Sequence, residues 1–171
     1  MPNVYEGELK AVPGKWAIVV SRYNEHLTGR LLEGAVKTLV EAGAADDEID
    51  VFFVPGAFEL PTIAAAAVAR REYNAVLCLG AVIRGETTHD QHINRAVSMA
   101  LAELGVTEGI PVLFGVLTCD TLEQAFHRAG GNVGNKGAEC ADAALRTADL
   151  LERMTILHSQ IQQKFEIGDQ K

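Results

Sequence analysis

The feature that most narrows the fold of this chain is an alternation of two patterns. Four short apolar runs recur along it, Trp16 to Val20, Val51 to Val54, Ala75 to Leu79 and Val112 to Leu117, and a segment of helical period follows each. Apolar residues without polar alternation suit strands buried on both faces, the environment of a parallel sheet. Between the runs the spacing changes. Leu27, Leu31, Leu32, Ala35, Val36, Leu39 and Val40 mark one helical stripe that ends near Gly43. Leu60, Ile63, Ala64, Ala67 and Val68 mark a second, with Pro61 in its first turn. Ile93, Val97, Ala100, Leu101 and Leu104 mark a third, introduced by Thr88-His89-Asp90-Gln91, which fits a capping box. A short helix from about Thr121 to Arg128, with Asp120 as its cap, and a long one from near Lys136 complete the series.

Such alternation requires right-handed crossovers. The expected architecture is α/β, a three-layer flavodoxin-like fold in which a four-stranded parallel sheet carries helices on both faces. No linker, repeat or low-complexity tract interrupts the 171 residues. One domain is therefore expected over 1–171, with an extended N-terminal arm at 1–11 and a flexible tail at 163–171. The hydrophobic share of 48% is ample for a core. The net charge of -8 offers no general attraction for a phosphate backbone, so no nucleic-acid partner is expected and any anion site must be built locally. No apolar run approaches the roughly 20 residues of a membrane span, and the first residues read neither as a signal nor as a transit peptide. The three cysteines, Cys78, Cys119 and Cys140, lack metal-type spacing and read as reduced thiols of a cytoplasmic protein.

Open parallel sheets bind ligands beyond the carboxyl ends of their strands, so those ends carry most of the functional information. The first strand runs into Ser21-Arg22-Tyr23-Asn24, the second into Pro55-Gly56-Ala57-Phe58-Glu59, the third into Gly80 through His89, and the fourth into Thr118-Cys119-Asp120. An aromatic, a carboxylate, a Gly-Thr-Thr turn at a helix start and a histidine thus converge. That set can stack a flat ring, hydrogen-bond a polyol, hold an anion and move a proton. Backbone N–H groups at the helix start suit an anion, although an N-cap role accounts for Thr88 equally well. His89 can exchange protons near neutrality, or be an ordinary exposed histidine of a first helical turn. Glu59 either recognises a ligand or complements a helix dipole, and Tyr23 either stacks a ring or plugs the end of its strand. His92 lies three residues from His89, but no third ligand accompanies the pair, so no metal is expected.

The segments Val54 to Pro61, Gly80 to His89, Pro111 to Thr118 and Gly134-Asn135-Lys136-Gly137 resemble the signature segments of lumazine synthases, in matching order and spacing from about Val4 to Leu151. The resemblance implies a cofactor-independent condensation in riboflavin biosynthesis. 5-Amino-6-(ribitylamino)uracil and 3,4-dihydroxy-2-butanone 4-phosphate would give 6,7-dimethyl-8-ribityllumazine, phosphate and water. It implies that Tyr23 stacks on the pyrimidine and Glu59 binds the ribityl chain, while the backbone at Ala57, Phe58, Ala81, Val82 and Ile83 reads polar groups of ring and chain. Gly85, Glu86 (through its backbone), Thr87, Thr88 and Arg128 would hold the phosphate, His89 would transfer protons, and Phe114 and Lys136 would complete the pocket.

Topology sets Phe114, Arg128 and Lys136 apart, because they are expected far from their own Tyr23 and His89 and would join the same pocket only from a neighbouring subunit. The family's sites lie between members of a pentamer. Family members with a compact glycine-rich link like Gly130-Gly131-Asn132-Val133 often assemble twelve pentamers, so the resemblance further implies a 60-subunit icosahedral shell, with a riboflavin synthase as a candidate partner. Two departures stand out: Tyr23 replaces the usual Phe, and Asp90-Gln91-His92-Ile93-Asn94 replaces the usual aromatic-acidic stretch after the histidine. The rival readings are a non-catalytic shell-forming scaffold and a lumazine- or flavin-binding protein of the same fold. Fold alone does not separate these from an enzyme.

Overall fold

The computed structural model describes residues 1–168. The apolar runs become β1 (Lys15–Ser21), β2 (Ile49–Val54), β3 (Tyr73–Ile83) and β4 (Val112–Cys119). They form one sheet of order β2-β1-β3-β4, parallel at every pairing. Helices α1 (Glu25–Glu41) and α5 (Lys136–Gly168) cover one face, and α2 (Leu60–Ala69) and α3 (His89–Glu108) cover the other. Strand residues alternate between the two cores. Trp16, Ile18, Val20, Leu77 and Leu79 enter the first, and Ala17, Val19, Val76 and Cys78 the second. That division is why the central strands needed apolar residues at every position. Each fully buried Leu or Ile contributes about 1.5–3 kcal/mol. The edge strand β2 is different, leaving Val51 and Phe53 36% and 49% exposed.

Helix ends follow backbone conformation more than residue type. The expected capping box before α3 does not form: Thr88 makes no side-chain cap bond, and the turn closes through Gln91 N–H to the Thr88 carbonyl at 3.1 Å. The cap of α4 (Leu122–Arg128) is Thr121 and not Asp120. Thr121 is extended, which aims its hydroxyl at the Gln124 N–H (3.2 Å), while Gln124 Oε1 accepts from the Asp120 N–H at 2.9 Å. A small hairpin, β5 (Ala129–Gly131) and β6 (Gly134–Asn135), then links α4 to α5.

The Gly134-Asn135-Lys136-Gly137 segment has a packing rationale. Asn135 Oδ1 accepts from the N–H groups of Gly137 (2.8 Å) and Ala138 (3.1 Å), and its Nδ2 donates to the Arg30 carbonyl at 2.9 Å. One side chain therefore caps α5 and ties it to α1. Gly137 allows the approach, since a Cβ there would lie 1.9 Å from the Leu31 carbonyl oxygen. The residues before β1 lack regular structure and run along α5, where the Glu8 N–H meets Asp149 Oδ2 at 2.9 Å. At the other end α5 continues to Gly168, beyond the Gln162 after which the sequence suggested a frayed tail; residues 169–171 lie outside the described residues. All three cysteines are free. Burial pushes the Cys140 thiol up to about 12 and raises that of Cys78 further, so both behave as small hydrophobes.

Gly137→Ala is expected to destabilise the protein by on the order of 2–3 kcal/mol, because backbone meets backbone and no side chain can yield. Gly29→Ala, on α1 with nothing within 4 Å of the added methyl, is expected to raise stability by about 0.5–1 kcal/mol. Thermal unfolding of both variants followed by circular dichroism checks the pair.

Candidate active site

The strand ends meet in a groove of about 500 Å³. Its floor is the end of β3. Pairing of β3 with β1 stops at Val20 and Leu79, whereas pairing with β4 continues to Ile83 and Cys119. From Ala81 to Ile83 the strand is therefore bound on one side and open on the other. Asn24 occupies part of the open side, its Nδ2 donating to the Ala81 carbonyl at 2.9 Å. Asn24 adopts a left-handed conformation (φ 61°), a region its short polar side chain tolerates, and this turns the chain sharply from β1 into α1. The sequence reading did not assign it a role.

One wall comes from Tyr23, 72% exposed, whose N–H donates to the Pro55 carbonyl at 3.0 Å and so fixes the β1 and β2 loops to each other. Gly56, Ala57, Phe58 and Glu59 continue that wall. Ala57–Glu59 form a 3-10 turn, and Glu59 Oε2 accepts from the Gly56 N–H at 2.9 Å. Glu59 thus stabilises its own turn, and among the described residues its other carboxylate oxygen meets no hydrogen-bond donor. The far wall is Gly85, Thr87 and the first turn of α3, from which His89, Asp90 and Ile93 line the groove, Ile93 lying four residues from the first and three from the second.

Of the residues singled out from sequence, Tyr23, Ala57, Phe58, Glu59, Ala81, Val82, Ile83, Gly85, Thr87 and His89 line this one groove. Glu86 and Thr88 flank it without lining it; the Thr88 hydroxyl, unused as a cap, stays available. Asp90 and Ile93 belong to the groove and were read only as helix-start and core residues. Their signal was their spacing of one and four from His89.

Phe114, Arg128 and Lys136 do not line the groove. Phe114 packs half-buried against the core on the α2–α3 side. Arg128, at the end of α4, donates from Nη1 to the Val133 carbonyl (3.0 Å) and from Nη2 to Glu139 Oε2 (3.1 Å), and Lys136 Nζ donates to the same oxygen at 3.4 Å. One carboxylate thus holds both cations, with two edges of the guanidinium fixed and the remaining donors open. Nearby, burial raises the Cys119 thiol, opposed by the attraction of Arg128. Among the described residues no three His, Cys, Asp or Glu side chains come together as a metal site. No described helix is long and apolar enough to cross a membrane.

Chemically, the groove combines an exposed sheet edge that can pair with an amide-like heterocycle, an aromatic to stack on it, a helix N-terminus with hydroxyls, and an imidazole. Residues 14–152 match the family model described as 6,7-dimethyl-8-ribityllumazine synthase. A relative from Desulfotalea psychrophila (strain LSv54 / DSM 12343), named 6,7-dimethyl-8-ribityllumazine synthase, is 49% identical over 154 residues, which cover 90% of this chain and 99% of the relative. With the match spanning all four strands and the whole groove, the chain belongs to the 6,7-dimethyl-8-ribityllumazine synthase family.

Proposed function

We propose that this chain, as a single domain over 1–171, performs the reaction its family is named for, joining 5-amino-6-(ribitylamino)uracil to 3,4-dihydroxy-2-butanone 4-phosphate in riboflavin biosynthesis. The observation that carries the proposal is the open side of β3 at Ala81, Val82 and Ile83, set beside Tyr23 and His89. A uracil presents N–H and C=O groups in the manner of a peptide, so an unpaired strand edge is a natural complement to it. Tyr23 stacks on that ring, the free oxygen of Glu59 and the backbone at Ala57 and Phe58 take the ribityl hydroxyls, and Gly85, Thr87, Thr88 and the backbone of Glu86 receive the phosphate. The amine attacks the ketone, the imine loses phosphate by elimination, and ring closure expels water. His89 moves protons in these steps, and holding two reactants in register supplies several kcal/mol more.

The proposed working form is a homopentamer, with Phe114, Arg128 and Lys136 entering the neighbour's groove, and a 60-subunit icosahedral shell is the proposed larger assembly. Two kinds of observation support association. The groove is lined by two carboxylates, Glu59 and Asp90, and by no Lys or Arg, so a phosphate needs a cation from outside it. Apolar side chains also stand uncovered on several elements: Phe53 on β2, Met99 (63% exposed) and Val106 (87%) on α3, and Val4 (81%) on the arm. A riboflavin synthase is the proposed partner and the cytoplasm the proposed compartment, in keeping with three free thiols.

Mixing the two substrates with purified protein is expected to yield lumazine fluorescence with one phosphate released per product; product binding without turnover would leave the scaffold reading in its place. His89→Ala should lower kcat by about a hundredfold with binding retained. Arg128→Ala should instead raise KM for the keto-phosphate about thirtyfold, equivalent to about 2 kcal/mol, and spare the uracil partner. Co-assembling these two impaired variants, assayed at keto-phosphate well below the raised KM of Arg128→Ala, tests the shared site directly. Random pairing across a heterologous interface restores about one site in four to the wild-type rate, whereas sites complete within one protomer give no more than the mean of the two variants' own rates.

A further inference from the structure

Asp90 lines the groove beside His89 and has no assigned role. Its Oδ1 is buried without a hydrogen-bond donor, and so is Oδ1 of Asn94, four residues along the same helix. An ionised carboxylate can only accept, and two buried acceptors one helical turn apart cost free energy unless a donor joins them. The Asn94 amide carries that donor. Turned about its terminal bond it offers Nδ2–H to Asp90, giving an i,i+4 bond of a kind that helices favour. One Asp90 oxygen is then fixed and the other remains for the groove. Asp90 and Asn94 both fall in the stretch Asp90 to Asn94, where this chain departs from the aromatic-acidic pattern that the family resemblance leads one to expect.

We propose that Asp90 is a catalytic residue that accepts the proton of the attacking amine, oriented by Asn94 as a positioning residue. The proposal rests on the condensation described above. As the amine nitrogen bonds to the ketone carbon, the carbonyl π pair moves to oxygen, which takes a proton from the His89 imidazolium. Asp90 takes a proton from the nitrogen, now cationic. The resulting carbinolamine loses its hydroxyl as water with the proton held by Asp90. The remaining N–H proton passes to His89, leaving the imine with both groups restored. An imidazole and a carboxylate that line one groove can serve the two ends of the forming bond together, which neither can do alone.

The test compares the assembled wild-type protein with Asp90→Asn, Asn94→Leu and the double variant. Expected are a kcat about a hundredfold lower for Asp90→Asn with KM for both reactants little changed, a smaller fall for Asn94→Leu, and a double variant no slower than Asp90→Asn. Fluorescence titration with 6,7-dimethyl-8-ribityllumazine should give unchanged affinity in all three, which a merely structural role would not. Wild-type kcat in Asp90→Asn, or parallel loss of product binding and turnover, overturns the assignment while leaving the condensation intact. A wild-type protein that forms no lumazine removes both.

Discussion

Everything at the functional end of this molecule depends on β3 outrunning β1. The strand is buried on both faces and hydrogen-bonded to β1 and β4 as far as Leu79, and to β4 alone from there to Ile83. Backbone polar groups do not tolerate being left unpaired inside a protein. The exposed stretch is therefore a standing demand for donors and acceptors, met in part by Asn24 and otherwise open to a ligand. Two apolar cores grip the strand from either side, so its end is held rigidly and the groove floor does not need a ligand to form it. Loops from β1 and β2 and the start of α3 wall the floor because parallel topology delivers all of them to the same edge of the sheet.

Much of this was legible in the sequence, and the parts that were not share a cause. Continuous apolar runs located all four strands, because burial on both faces leaves no other pattern. The run Ala75 to Leu79 nevertheless stopped short of the strand that forms, which reaches Ile83. Gly80 read as the start of a loop, but it sits within the strand, where a Cβ would press on Leu60, Ser21 and Val116 at 3.3–3.4 Å. The glycine serves close packing and not a turn, a distinction that only tertiary neighbours make. The same holds for Thr88, a cap-type residue whose backbone does not adopt cap geometry, for Asp120, which yields the cap of α4 to Thr121, and for Asn135, whose link to Arg30 crosses 105 positions. Residue chemistry at the site was readable from its types; the joint attachment of Arg128 and Lys136 to Glu139 was not, since it depends on how the β5–β6 hairpin folds back.

Charge distribution connects the site to assembly. An N-terminal helix dipole is worth about 0.3–1 kcal/mol to a nearby anion, up to about 2 kcal/mol in favourable geometry. Glu59 and Asp90 line the same groove and oppose a phosphate there, and screening by solvent weakens all of these terms in an open groove without reversing their signs. The protomer alone thus offers an anionic substrate little net attraction. On the proposed reading, a guanidinium from the next subunit changes the balance through charge-assisted, bidentate hydrogen bonds, and Glu139 keeps that guanidinium aimed before any ligand arrives. The same arrangement suits the end of the reaction. Once elimination frees inorganic phosphate, its link to the ring and polyol contacts is gone, and the groove's own carboxylates favour its departure. On the proposed reading, then, an acidic groove completed by a borrowed cation holds the substrate by all of its parts together and retains no single part strongly.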